Sequence, residues 1–309
     1  MKEKLNLKGI VYILIGGTAW GFSGCCAQYL FENYNIDSYW LTSVRLIFSG
    51  ILCLLITFSK ADYRRALTEI GRSRKHLLRC MLYGICGLAL CQLSYITGIK
   101  YTNAATTTVI QYAGPALIVV AVCIMQKRLP RLFELCALFC AIGGTFLVAT
   151  HGNPHSLAIS RTGLIWCIIA ALSVAVYTMM LGETGRIFPI IACNAIAMPV
   201  GGAVVTLVFR SWRAEVNLDV RGILAICGIV LVGTVIAFTF YLQAVAEIGP
   251  VNTSVIATIE PVSSAVIGFF WLGTRFEPMD IIGFALILST IIWLTLNDRR
   301  TAGGKAAEE

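Results

Sequence analysis

The sequence predicts an all-α membrane protein in which ten transmembrane helices form two inverted five-helix repeats. Three observations carry that expectation. Apolar residues make up 58% of the chain and charged residues 13%, with a mean hydropathy of +0.80, where soluble domains sit near about 45–50% and about 25%. The apolar residues gather into ten runs, each near the roughly 17–25 residues that a helix needs to cross a bilayer. The order of runs and polar stretches then recurs halfway along the chain.

The first run, residues 9–30, follows the basic start Met1 to Lys8, a pattern shared with signal peptides. Phe22-Ser23-Gly24-Cys25 loosely resembles a lipoprotein cleavage box, but Phe22 replaces the usual aliphatic residue and the apolar run continues past Cys25. It is therefore the first helix. The others cover 39–59, 77–99, 103–126, 132–150, 162–181, 188–209, 222–246, 251–272 and 279–297. Barrel-like alternation is absent, and in hydrocarbon every backbone group must be satisfied within its own segment, which leaves helices. The chain divides into a cytoplasmic N-terminus 1–8, a first repeat 9–150, a second repeat 162–297 and a cytoplasmic tail 298–309.

The net charge of +8 sits in short gaps between runs, which marks orientation rather than nucleic-acid binding. Lys2, Lys4 and Lys8, the cluster from Lys60 to Arg79, Lys127, Arg128, Arg131, Arg186, Arg299, Arg300 and Lys305 fall on one side. Only Lys100, Arg161, Arg210, Arg213, Arg221 and Arg275 fall on the other. The positive-inside rule places both termini in the cytoplasm of a multi-pass cell-membrane protein. Lys60 to His76 is then the longest cytoplasmic loop. Of the 12 cysteines, all but Cys80 lie inside apolar runs and none form C-x-x-C, so they read as small buried hydrophobes.

Sliding the chain by 146 residues sets Tyr95 on Tyr241, Thr107 on Thr253, Val109-Ile110 on Val255-Ile256 and Pro115 on Pro261. A slide of 154 sets Gly9-Ile10-Val11-Tyr12 on Gly163-Leu164-Ile165-Trp166, the difference falling in the long basic loop. Each copy holds five helices, an odd number, so the second copy must cross the membrane in the opposite sense.

With Ala19-Trp20-Gly21, Arg45, Tyr101-Thr102-Asn103-Ala104-Ala105 leading to Pro115, and Ile259-Glu260-Pro261-Val262, the chain resembles the EamA family of the drug/metabolite transporter superfamily over about residues 9–297. The resemblance implies two five-helix repeats and transport, and is silent on substrate. Members often carry an acidic signature of the Leu-Gly-Glu-Arg type after the fourth and ninth spans. Here those stretches read Gln126-Lys127-Arg128-Leu129 and Leu272-Gly273-Thr274-Arg275, so that glutamate's role is not carried over.

No Asp lies deep in a span, and H-E-x-x-H and G-x-x-x-x-G-K-[ST] are absent. His151 and His155 share an outer loop with no acidic companion in it. Catalytic residues, metal ligands and cofactors are thus not expected. Two charges do sit deep in spans, Arg45 and Glu260, each costing about 2.5–3.5 kcal/mol if left alone. Arg45, about 9 Å from the outer end of its span at 1.5 Å per residue, can snorkel, anchor or meet an anionic substrate group. Glu260, too short to snorkel from mid-span, is the acid expected to bind a cationic group or carry a coupling proton.

Around them Trp20, Gln92, Tyr95, Gln111, Tyr112, Tyr177, Tyr241 and Asn252 supply polar and flat aromatic surface for a substrate cavity, although interhelical hydrogen bonding accounts for such residues too. Pro115 and Pro261, matched between copies, mark mid-span breaks of the kind that place a binding site or hinge. The function expected is a secondary transporter exporting small organic metabolites (an amino acid, nucleobase or drug-like compound) by alternating access, with lipid and substrate as partners and protons as one driver. A membrane-embedded enzyme acting on lipid-linked substrates and a non-transporting sensor are the alternatives. The first lacks a second convergent acid, and the second lacks a sizeable soluble domain.

Overall fold

A computed structural model describes residues 7–153, 158–180 and 182–289. A few side chains inside its helices, those of Pro115, Tyr177 and Asn252 among them, lie outside the described residues. Among the described residues every regular element is helical.

Helix α1 spans Leu7–Asn33 and α2 Ser38–Ser59. The stretch expected as the long basic loop instead folds as α3, Ala61–Arg72. Asp62 suits its N-terminal dipole, and Ala66 and Ile70, four residues apart on one face, are buried against α2 and its neighbours. The basic residues left outside hid that stripe in a composition-based reading. Helix α4 then runs Arg74–Tyr101, N-capped by Ser73, with a π-helical stretch at Tyr83–Ala89.

The run expected as one helix over 103–126 is divided. Helix α5 covers Ala104–Gln111, N-capped by the Asn103 side chain, and α6 covers Gly114–Met125. Between them Tyr112 and Ala113 form a turn. Helices α7 (Leu132–Thr150), α8 (Arg161–Met180), the short α9 (Gly182–Ile187) and α10 (Ile190–Phe209) follow. Helix α11 opens at Val220–Cys227, passes through a π-helical stretch Gly228–Ile236 and continues over Ala237–Ile256. The break expected near 247–250 therefore comes later, at Ala257 and Thr258, because Pro250 is tolerated within the helix. Helix α12 covers Ile259–Leu272 and α13 Pro278–Ser289.

Five helices, Leu7–Asn33, Ser38–Ser59, Arg74–Tyr101, Ile190–Phe209 and Val220–Ile248, are long and apolar enough to cross a membrane among the described residues. Glu134–Thr150, Arg161–Val174, Ile259–Leu272 and Pro278–Ser289 are shorter apolar helices. The fourth and ninth runs are shortened by their breaks, and the tenth extends beyond the described residues. An apolar outer belt that includes Phe48, Leu55, Phe139 and Phe270 suits lipid rather than water.

Packing follows the repeat. The 146-residue offset carries Tyr83–Ala89 into Gly228–Ile236, so both π-helical stretches occupy the same place in their halves, with Gly87 matching Gly233. The second helices of the two halves lie against one another: Gly50 meets Pro199, Gly202 meets Ile47, and Tyr39 stacks on Phe209 with ring centroids 5.5 Å apart. Numbers rise along α2 as they fall along α10, so the pair is antiparallel. The fifth helices do the same, with Gly144 against Ile287 and Gly283 against Val148.

His151 joins this seam. Its sequence neighbourhood offers no acid, yet Nδ1 lies 3.0 Å from Glu277 Oε2 and Nε2 3.0 Å from Asp280 Oδ1. The antiparallel packing of α7 on α13 brings those carboxylates from the other half. At the start of α11, Asp219 caps the helix by accepting from Gly222 N–H at 2.9 Å and accepts from the Tyr34 hydroxyl. That phenol holds its carboxyl below the usual range.

Candidate functional site

Helix α1 approaches α12 along a glycine strip, and this approach builds the site. A Cβ at Gly17 would lie 2.4 Å from Ile259 Cγ2, one at Gly21 2.8 Å from the Glu260 carbonyl oxygen, and one at Gly24 2.8 Å from Tyr95 Oη. At Gly21, which backs onto backbone, only hydrogen fits, while at Gly17 and Gly24 a methyl would have to push aside the end of a side chain. Small residues of this kind let helix backbones close together where lipid offers no hydrophobic drive to do so. Trp20, on the neighbouring face, packs edge-on to Phe238 and against Tyr241, each with centroids 5.4 Å apart.

Pro261 stands in the first turn of α12, where a missing N–H costs least, and not in the middle of a continuous helix. The helical partner it lacks would have been the Ala257 carbonyl. That carbonyl instead accepts from Glu260 N–H at 3.0 Å and lies 3.0 Å from the Tyr112 hydroxyl. The same hydroxyl is 2.9 Å from Glu260 Oε2. Tyr112 belongs to the break between α5 and α6, so the broken segment of each half touches that of the other. Pro115 follows its break in the same way as Pro261, in the first turn of α6.

Arg45 does not snorkel. It is buried, 9% exposed, and its Nη1 has no hydrogen-bond partner among the described residues. Its charge acts on Glu260, Tyr95 and Cys91. No ion pair within 4.0 Å joins it to Glu260 among the described residues. Tyr95 is buried and shares a 2.9 Å hydrogen bond with Thr108, and Gln111 Nε2 donates to Cys91 Sγ at 3.6 Å.

Arg45, Tyr95, Tyr112 and Glu260 are thus brought together, with Trp20, Tyr241 and Gln111 beside them. Gln92 is half-buried and makes no hydrogen bond among the described residues. The side chains of Tyr177 and Asn252 lie outside the described residues. Gln28 was not expected. It is 4% exposed, accepts from Ala104 N–H at 2.9 Å and donates to Thr274 Oγ1 at 3.0 Å, tying α1 to the start of α5 and to the loop after α12. One glutamine in an apolar run carries no partner signal. Ser49 and Thr234 likewise share a 2.8 Å bond between α2 and the second π-helical stretch.

A cavity of about 510 Å³ lies elsewhere, lined by apolar residues of α5 to α8 such as Leu117, Ile142, Phe146 and Ile168. It contains no charged group and opens among lipid-facing side chains. It is a poorer candidate than the Arg45 and Glu260 region for recognising a polar solute. The cysteines are all free, with Cys25, Cys91, Cys167 and Cys193 among the buried ones.

The profile of the EamA-like transporter family matches this chain twice, over residues 7–150 and 161–296. The uncharacterized inner membrane transporter YicL of Salmonella typhimurium is 33% identical over 96% of this chain and 97% of its own length. The uncharacterized transporter YwfM of Bacillus subtilis is 22% identical over 97% and 99%. A solved structure described only as a crystal structure of a protein superposes with a TM-score of 0.63 at 18% identity, covering 94% of this chain and 98% of that one.

Proposed function

The chain belongs to the EamA-like transporter family, and on that premise we propose that it is a secondary transporter exporting small organic metabolites by alternating access. It is a multi-pass membrane protein whose relatives are named as transporters. In this reading ten crossings form two inverted five-helix halves, both termini face the cytoplasm, the solute is an amino acid, nucleobase or drug-like compound, and no chemical step is catalysed. The antiparallel pairing of equivalent helices, α2 with α10 and α7 with α13, supports the inversion. The uneven distribution of Lys and Arg supports the orientation.

One observation carries the reading. The broken segments of the two halves meet at Tyr112 and Glu260, 2.9 Å apart, beside a buried cation. Such a junction lies where inverted-repeat transporters bind solute and rock. Glu260 is the group proposed to exchange a coupling proton, and Trp20, Tyr95 and Tyr241 the aromatic walls. The test is flux of a broad metabolite panel into proteoliposomes with and without a proton gradient. Absence of protein-dependent flux across the panel defeats the proposal.

A further inference from the structure

The apolar cavity of about 510 Å³ runs along α7 from Leu138 to Thr150 and is closed by α8 and by residues on either side of the α5–α6 break. At 1.5 Å per residue its wall on α7 is about 18 Å long, close to the roughly 15 Å of one leaflet in a hydrocarbon core of about 30 Å. Ile142, Phe146 and Ile168 in that wall are also exposed on the outer surface, so the space communicates with the lipid. The wall carries two hydroxyls. Thr145 donates to the Ala141 carbonyl at 2.8 Å and Thr150 to the Phe146 carbonyl at 2.7 Å, so both protons are used within α7. A water held here would need two to four polar partners, and the lining does not supply them. Left empty, the wall forfeits its dispersion contacts. The occupant that suits it is a hydrocarbon chain.

A charge stands at one end of this cavity. Arg161 is the first residue of α8, and Arg161, Leu164, Ile168 and Ala171 recur every three or four residues along one stripe of that helix. The last three line the cavity, so Arg161 continues the same stripe beyond Leu164. Ala158 N–H donates to the Ala149 carbonyl at 2.8 Å, which sets the start of α8 beside the Thr150 end of the wall. Arg161 is exposed and makes no hydrogen bond or ion pair among the described residues. The acids that the end of α7 meets, Glu277 and Asp280, are engaged by His151 at 3.0 Å each. A free guanidinium fork next to an apolar slot one leaflet deep fits a molecule with a phosphate at one end and a chain at the other. We propose that the cavity holds one acyl chain of a glycerophospholipid, with the lipid phosphate on Arg161. Ala113 lies in the α5–α6 break and lines the cavity, so the bound chain packs against the segment that presents Tyr112 to Glu260.

The test uses full-length protein stripped of lipid in detergent and then given dioleoyl phosphatidylglycerol, dioleoylglycerol, which has the chains without the phosphate, or inorganic phosphate, which has no chain. Expected are one phospholipid retained per protein in native mass spectrometry and a rise in unfolding midpoint of about 2–4 °C with the phospholipid, a smaller rise with dioleoylglycerol and none with phosphate. Arg161→Gln should weaken phospholipid binding roughly 5-fold, the worth of one basic residue at a lipid surface, and leave dioleoylglycerol binding unchanged. Ile142→Trp, which fills the mouth of the cavity from an exposed position, should abolish retention of both lipids. Leu55→Trp, on an exposed part of α2 away from the cavity, should keep it. If Ile142→Trp fails to fold, Arg161→Gln and the three probes on the wild type still decide. Equal stabilisation by phospholipid and dioleoylglycerol, stabilisation by inorganic phosphate alone, or the same lipid retention in Ile142→Trp as in Leu55→Trp overturns the proposal. The readouts are binding and stability without flux, so the lipid site stands or falls independently of the transport reading.

Discussion

The Tyr112 hydroxyl of the first half lies 2.9 Å from Glu260 Oε2 of the second and 3.0 Å from the Ala257 carbonyl exposed by Pro261. A phenol has one proton to donate, so it serves one acceptor fully at a time. Ionised Glu260 competes for that proton, while protonated Glu260 can itself donate and leave Tyr112 to the carbonyl. The protonation state of one carboxyl is thereby linked to which hydrogen bond joins the two broken segments.

Glu260→Gln therefore retains the fold and transports with a flat pH profile, because an amide keeps the hydrogen bond without the titration. Tyr112→Phe keeps a pH-dependent flux but loses the tie between halves. Flux measured from pH 5.5 to 8.5 distinguishes them, and a wild-type profile in Glu260→Gln rules out coupling through this residue.

Trp20 bridges the halves through Phe238 and Tyr241. Aromatic contacts of this geometry contribute about 0.5–1.5 kcal/mol beyond area burial. Trp20→Ala and Tyr95→Ala should weaken apparent solute affinity by roughly 2- to 10-fold with normal expression. Unchanged affinity in both assigns them to packing alone.

Glycine at 21 is a steric requirement, and glycine at 143 is not. An added Cβ at Gly21 meets Ser263 Oγ at 2.4 Å and the backbone of Glu260 and Ser264 at 2.8 and 2.9 Å, while one at Gly143 meets nothing within 4 Å. Gly21→Ala should destabilise by about 1–3 kcal/mol. Gly143→Ala should be neutral or gain up to about 1 kcal/mol in helix propensity. Equal melting shifts in the two variants would remove the glycine strip as the determinant of the α1 approach.

His151 fastens α7 to α13 by two 3.0 Å contacts. His151→Ala leaves Glu277 and the largely buried Asp280 without that partner and should cost about 1–3 kcal/mol. In a background carrying Glu277→Gln and Asp280→Asn the same change should cost less, since interacting residues are non-additive. A full cost in that background means the histidine acts through packing.

The charge asymmetry predicts opposite sides for α3 and the loop after α7. A cysteine at Gly71, where the added side chain has open space, should label only from the cytoplasm. One at Ser156 should label from outside, in a background with Cys86 and Cys227 replaced. Labelling of both in intact cells by an impermeant maleimide defeats the inverted topology.

Sequence by itself determined the helical membrane class, the positions of five long apolar helices, the repeat and the residues too polar to sit idle in lipid. Hydropathy and charge are additive along a chain, so runs such as 39–59 and 188–209 are legible without a partner. The amphipathic α3 escaped because its basic residues outvote Ala66 and Ile70 in composition. The break at Ala257 and Thr258 escaped because Pro250 is the louder breaker signal, although Pro261 in a first turn is the one that matters. Only the tertiary structure decided that Tyr112 reaches Glu260, that His151 meets two acids from the other half, and that Arg45 is buried with a free donor. Each of these depends on packing between segments more than 100 residues apart, and side-chain hydrogen bonds and ion pairs are set by the backbone spacing that glycines of α1, α7 and α13 allow, which one-dimensional pattern does not encode.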